Sequence, residues 1–125
     1  MNLNQVTVPS SNIPKSVEFY KTLGLKIIVS SQHYARFEVP NGGATFSVHL
    51  TERFENENGV VVYFEFDDVD EALERLQSKG LVFEEMPEDK RWLWRKALIF
   101  DPDGNRIIFY HAGENRLNPP WRVKE

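Results

Sequence analysis

Gln5, Thr7, Ser47 and His49 in the first half of the chain, and Tyr63, Glu65, Ile108 and Tyr110 in the second, fall at every second position of short apolar runs. That spacing puts them on one face of extended backbone, because successive strand side chains alternate between faces. With Thr45 and Val61 they make a mixed surface of amide, hydroxyl, imidazole and carboxylate groups among aromatic and aliphatic walls. A small organic ligand needs such a lining: area for burial and a few polar groups for orientation. Two of these side chains are candidate catalytic bases. Glu65, if it points inward beside Tyr63, could recognise a cation or take a proton; its alternative is a wet rim. His49 is a base or a hydrogen-bonded rim histidine. His33 and His111 read as loop or strand-end surface residues. Trp92-Leu93-Trp94-Arg95-Lys96 is the other unusual run, and alternation places Trp92, Trp94 and Lys96 on one face. They could be core, subunit interface or a stacking wall for a planar ligand; in the last reading Trp94 joins the ligand-binding set. The absence of cysteine excludes thiolate nucleophiles, disulfides and sulfur-bound zinc.

An internal repeat sets the elements that carry these residues. Residues 5–25 and 61–81 share one pattern without a gap, 56 positions apart. Each copy opens with an alternating strand whose other face is apolar, Val6 and Val8 in one, Val62 and Phe64 in the other. A helix follows, with stripes Ile13, Val17, Tyr20 and Val69, Leu73, Leu76. Asn12 with Pro14, and Asp68 with Glu71 reaching back, mark the helix starts, and Gly24 and Gly80 the ends. Further strands are expected over 25–30, 34–39 and 44–50, with residues 51–59 as the connector. The second half repeats the order: a strand over 81–85, a loop through Pro87-Glu88-Asp89-Lys90, a strand over 92–100, a turn at Asp101-Pro102-Asp103-Gly104-Asn105, and a strand over 106–111. The tail from Gly113 reads as neither helix nor strand, with Trp121 anchoring it to the body or to a partner subunit.

The chain has 125 residues, 41% of them hydrophobic, enough for one core shared by both copies. A single domain over 1–125 is expected, with module one about 1–52, module two about 60–112 and a tail over 113–125. The net charge of −4 comes from interspersed acidic and basic residues, which argues against a nucleic-acid partner. No apolar run approaches a membrane span and the start lacks signal-peptide regions, so a cytoplasmic protein is expected.

Gln5-Val-Thr-Val with Ser16-Val-Glu-Phe-Tyr20 and Leu23-Gly24-Leu25, then Phe64-Glu-Phe-Asp-Asp-Val-Asp70, then Asp101-Pro-Asp-Gly-Asn105, resemble the vicinal oxygen chelate superfamily of glyoxalases, ring-cleaving dioxygenases, fosfomycin-resistance enzymes and bleomycin-binding proteins. The resemblance implies an α+β fold of two tandem βαβββ modules, forming an eight-stranded open, curved sheet around a pocket, and commonly a homodimer. Catalytic members hold a divalent metal at four equivalent places, which correspond here to Gln5, Ser47, Val61 and Ile108. Val61 and Ile108 cannot coordinate a metal, and one amide with one hydroxyl is short of the roughly three strong donors such sites use. The expectation is therefore no metal, no cofactor and capture of a small organic molecule, aromatic or cationic, as in the bleomycin-binding branch. The alternatives are a glyoxalase- or dioxygenase-like metalloenzyme recruiting Gln5, His49 and Glu65, and a metal-independent isomerase with Glu65 as base.

Overall fold

In a computed structural model, which describes residues 1–52 and 60–124, the repeat becomes two βαβββ modules. The first runs β1 (Gln5–Ser10), α1 (Ile13–Leu23), β2 (Lys26–Ser30), β3 (Tyr34–Glu38) and β4 (Thr45–Leu50). The second runs β5 (Val61–Glu65), α2 (Val69–Ser78), β6 (Glu85–Asp89), β7 (Arg95–Phe100) and β8 (Arg106–His111). The eight expected strands hydrogen-bond as two four-stranded sheets, ordered β1-β4-β3-β2 and β5-β8-β7-β6. In each, the module's first strand runs parallel to its last and the other pairs are antiparallel. The chain forms two compact units, Met1–Gly59 with Asp101–Asn105, and Val60–Phe100 with Arg106–Glu125. Most of the expected 51–59 connector lies outside the described residues.

The helices begin and end where their chemistry dictates. The Asn12 side chain accepts the Lys15 N–H at 3.1 Å, and Asp68 accepts that of Glu71 at 3.0 Å, each satisfying a helix-start donor that lacks an intrahelical partner. Glu71 does not reach back to the cap; it pairs with Arg75 one turn on, at 3.5 Å. Gly24 closes α1 at φ 110°, a conformation that a side chain would strain. In the first unit Tyr20, Phe37 and Phe46 form a buried aromatic cluster, with Tyr20 and Phe46 centroids 4.5 Å apart. In the second, α2 contributes Val69, Leu73 and Leu76, while Phe109 packs 4.6 Å from Phe66 and 5.5 Å from Phe83.

Three sequence expectations are corrected. Residues 81–84 are not a strand, and the expected loop at Pro87-Glu88-Asp89 lies within β6. β6 is a sheet edge whose register shifts between Glu85 and Glu88, and edge strands tolerate proline and charge because one side of the backbone needs no partner. The strand expected from Trp92 starts only at Arg95: residues 91–93 make the hairpin turn, with Leu93 at φ 67°. Finally, the tail opens with a short 3-10 turn, Gly113–Asn115, and Trp121 is 57% exposed on the single chain, which disfavours the body and leaves the partner subunit as its expected anchor. Among the described residues no helix is long and apolar enough to cross a membrane.

Candidate functional site

Register fixes which side chains share a face. In the first unit Gln5 lies opposite Thr45, Thr7 opposite Ser47, Ser47 opposite Arg36, and His49 opposite Tyr34. In the second, Tyr63 lies opposite Ile108, and Glu65 and Lys96 both lie opposite Tyr110. Ser47 and Ile108 therefore hold equivalent places, each paired with the third residue of its module's first strand.

The first unit's face is a continuous polar network. The Gln5 Nε2 group donates to Ser47 Oγ at 2.7 Å and lies 3.2 Å from Thr7 Oγ1, while Gln5 Oε1 accepts from Thr45. Ser47 Oγ is also 2.6 Å from the Tyr34 hydroxyl, which accepts from Arg36 Nε at 2.9 Å. The hydrogen bond from Ser47 and the Arg36 guanidinium favour the charged form of Tyr34 and hold its hydroxyl below the ordinary tyrosine range. Ser47 is 0% exposed, so it supports Gln5 and Tyr34 and does not present its own hydroxyl. His49 is exposed, its ring 6.4 Å from that of Tyr34. The sequence reading had no place for Tyr34 and Arg36, because only the first and last strands of each module were taken to line the face. The alternation of Ala35 and Phe37, both buried, could have revealed them.

The second unit's face is aromatic. Trp94 stacks on Tyr110 at 4.7 Å and 26°, and Tyr63 stands perpendicular to both, 6.0 and 5.6 Å away. Ile108, Tyr110 and Ala112 are buried, with Val61, Trp94 and Leu98 packed against them. Tyr63 remains 47% exposed. The result is a corner of two ring directions, one wall accessible and the other backed by core. Trp92 lies in the hairpin turn before β7, and its ring faces the Lys96 ammonium at 6.0 Å. Arg95 lies on the opposite face and grips Asp70 through two nitrogens at 2.7 and 2.8 Å.

Glu65 has a structural occupation. One carboxylate oxygen accepts the N–H groups of Ala112 and Gly113 at 2.7 and 2.9 Å, which anchors the start of the tail. Burial alone would raise its pKa, but those two donors with His111 and Arg116 outweigh it and hold the carboxyl below the ordinary glutamate range. A carboxylate so stabilised is a weaker base, contrary to the catalytic role considered from the sequence. His111, expected at the surface, is half-buried, with Nδ1 2.8 Å from the Phe66 carbonyl.

Neither unit's donor set fits a divalent metal. The first offers Gln5 and Ser47, whose oxygens already hold hydrogen bonds inside the network; the second offers the hydrocarbon side chains of Val61 and Ile108. Among the described residues no three His, Cys, Asp or Glu side chains come together to hold an ion.

Comparison with known proteins adds a family and its breadth. A family model for the Glyoxalase/Bleomycin resistance protein/Dioxygenase superfamily matches residues 2–109. The uncharacterized protein YraH of Bacillus subtilis (strain 168) is 32% identical over 127 residues, covering 88% of this chain and 98% of that protein. A probable trivalent organoarsenical cleaving enzyme of the same organism is 28% identical, covering 92% and 83%. Among solved structures, a bleomycin-binding protein complexed with bleomycin superposes with a TM-score of 0.73 at 18% identity, covering 89% of this chain and 98% of that one. At that identity the likeness is one of fold.

Proposed function

Since the chain belongs to the Glyoxalase/Bleomycin resistance protein/Dioxygenase superfamily, we propose that it is a metal-free member that captures a small aromatic or cationic molecule. One observation carries this reading: at the family's four metal-binding places, two side chains are closed into a hydrogen-bond network and two are hydrocarbon. Taken module by module, the candidate contacts are Gln5, Thr7 and His49 in the first, with Ser47 positioning Gln5, and Tyr63 and Trp94 in the second, backed by Ile108 and Tyr110. Glu65 shapes the rim through the tail it anchors and leaves charge nearby for a cation. The bleomycin-binding relative gives this reading a precedent in ligand type.

The organoarsenical-cleaving relative keeps an enzymatic reading in view. The metalloenzyme version needs Gln5, His49 and Glu65 as donors, yet the Gln5 amide oxygen already accepts from Thr45 and one Glu65 oxygen is held by two backbone N–H groups. The isomerase version needs Glu65 as a base, against the direction of its shifted pKa. The proposal extends to one functional domain over 1–125, at work in the cytoplasm as a homodimer, an assembly that light scattering reads directly.

A thermal-shift screen in the presence of a chelator tests the function. Planar organic cations and neutral arenes, bleomycin among them, are expected to raise the melting temperature with concentration, because a ligand that binds only the folded state stabilises it by mass action. Zinc, nickel or manganese raising it after chelator removal, with no organic compound doing so, would sink the proposal.

A further inference from the structure

The network on the first unit's face has a fixed direction. Gln5 Nε2 lies 3.3 Å from the Val6 carbonyl, which can only accept, so that end of the amide is the nitrogen. It therefore donates to Ser47 Oγ. Ser47 is fully buried and must place its own proton, and the Tyr34 oxygen 2.6 Å away is where it goes. The Tyr34 oxygen thus accepts from Ser47 on one side and from Arg36 Nε on the other. A phenol has two acceptor lone pairs and one proton. With both lone pairs filled, its O–H is directed away from the network, on a half-exposed side chain. Beside it stands Arg36, exposed, with one guanidinium nitrogen committed and its Cζ 5.4 Å from the Tyr34 ring. Arg36 makes no ion pair among the described residues.

We propose that Tyr34 and Arg36 form an oxyanion-recognition site on β3, in which the Tyr34 hydroxyl and the outer guanidinium nitrogens donate together to a carboxylate or phosphate group. The Tyr34 O–H and the outer guanidinium nitrogens of Arg36 are all donors, so the group complementary to the pair is one that accepts and carries negative charge, held apart from the exposed Glu38 carboxylate further along β3. Gln5 and Ser47 are positioning residues: Gln5 donates to Ser47 and so turns the Ser47 proton onto one Tyr34 lone pair, and with Arg36 Nε on the other this aims the Tyr34 proton outward. The site stands whether or not the second module's rings take a ligand, since inorganic phosphate has nothing to stack.

An NMR titration of the isotopically labelled full chain tests it, with inorganic phosphate and benzoate as separate probes at constant ionic strength. Saturable shifts centred on β3 and β4 are expected. Benzoate alone would specify a carboxylate, phosphate alone a phosphate ester, and both the shared oxyanion chemistry. Tyr34→Phe and Arg36→Gln are each expected to weaken binding by roughly tenfold to a hundredfold, the loss of a charge-assisted donor. The same spectra show whether each variant is folded, and if Tyr34→Phe is not, Arg36→Gln carries the test. No saturable shift from either probe, or affinity unchanged in the folded variants, overturns the assignment.

Discussion

Replacing Asp101 by alanine is expected to destabilise the chain by about 3–5 kcal/mol, the loss of the acceptor for several donors at about 1–3 kcal/mol each, a large share of the roughly 5–15 kcal/mol that hold an ordinary domain folded. Asp101 is 5% exposed and every acceptor site it has is filled. One carboxylate oxygen takes the N–H groups of Asp103 and Asn105, each at 2.9 Å; the other takes the Tyr20 hydroxyl at 2.6 Å and Asn105 Nδ2 at 2.7 Å. Alanine would leave the buried Tyr20 hydroxyl and Asn105 N–H without that acceptor, the costliest way to lose a hydrogen bond, while Asn105 Nδ2 would keep only the Pro9 carbonyl. Asp101→Asn should recover little, because either amide orientation turns an NH2 group toward two donors. Tyr20→Phe removes one donor and keeps the ring, so about 1–3 kcal/mol is expected. Burial and the adjacent carboxylate of Asp101 already push the Tyr20 hydroxyl far above its ordinary pKa, which keeps it a donor at any physiological pH. Thermal and urea unfolding followed by circular dichroism measure all three. A fall in melting temperature of roughly 10 °C or more is expected for Asp101→Ala; an unchanged midpoint would mean that the loop is held by something else.

Trp94→Ala is expected to carry the largest effect on ligand capture, a loss of about 30-fold or more in affinity for any planar compound that the thermal screen selects. Trp94 is the partly exposed member of the stacked pair with Tyr110, and it stands at right angles to the exposed Tyr63 ring. Its removal takes away both contact area and one wall of the corner. Trp94→Phe keeps a ring and should keep most of the affinity, which separates stacking from mere loss of volume. Calorimetric titration of the two variants beside the unmodified chain reads the difference. Equal affinity in Trp94→Ala would place the ligand elsewhere.

The fold was legible because local signals and periodicity agreed. Asn12, Asp68, Gly24 and Gly80 mark helix ends by chemistry that needs no tertiary partner, and the 56-residue offset carries the strand order from one module to the next. Where local signals conflict with context, context wins. Pro87 with its charged neighbours looks like a loop but is an edge strand, and Leu93 at positive φ breaks the alternation that would have joined Trp92 to Trp94. Alternation identified faces, but it carries no information on depth or on who bonds to whom. It could not show that Ser47 is buried beneath Gln5 and Tyr34, that Glu65 is held by two backbone N–H groups, or that Asp101, read only as part of a turn, is a four-bond hub. Those facts depend on residues distant in sequence, as Gln5 with Ser47 or Tyr20 with Asp101.

The proposed metal-free state is tested most directly by native mass spectrometry of the protein purified without chelator and then titrated with zinc, nickel and manganese. The bare chain mass is the expected result, with no stoichiometric metal increment at any step. One metal ion per chain, retained through desalting and lost in Gln5→Ala, would contradict it.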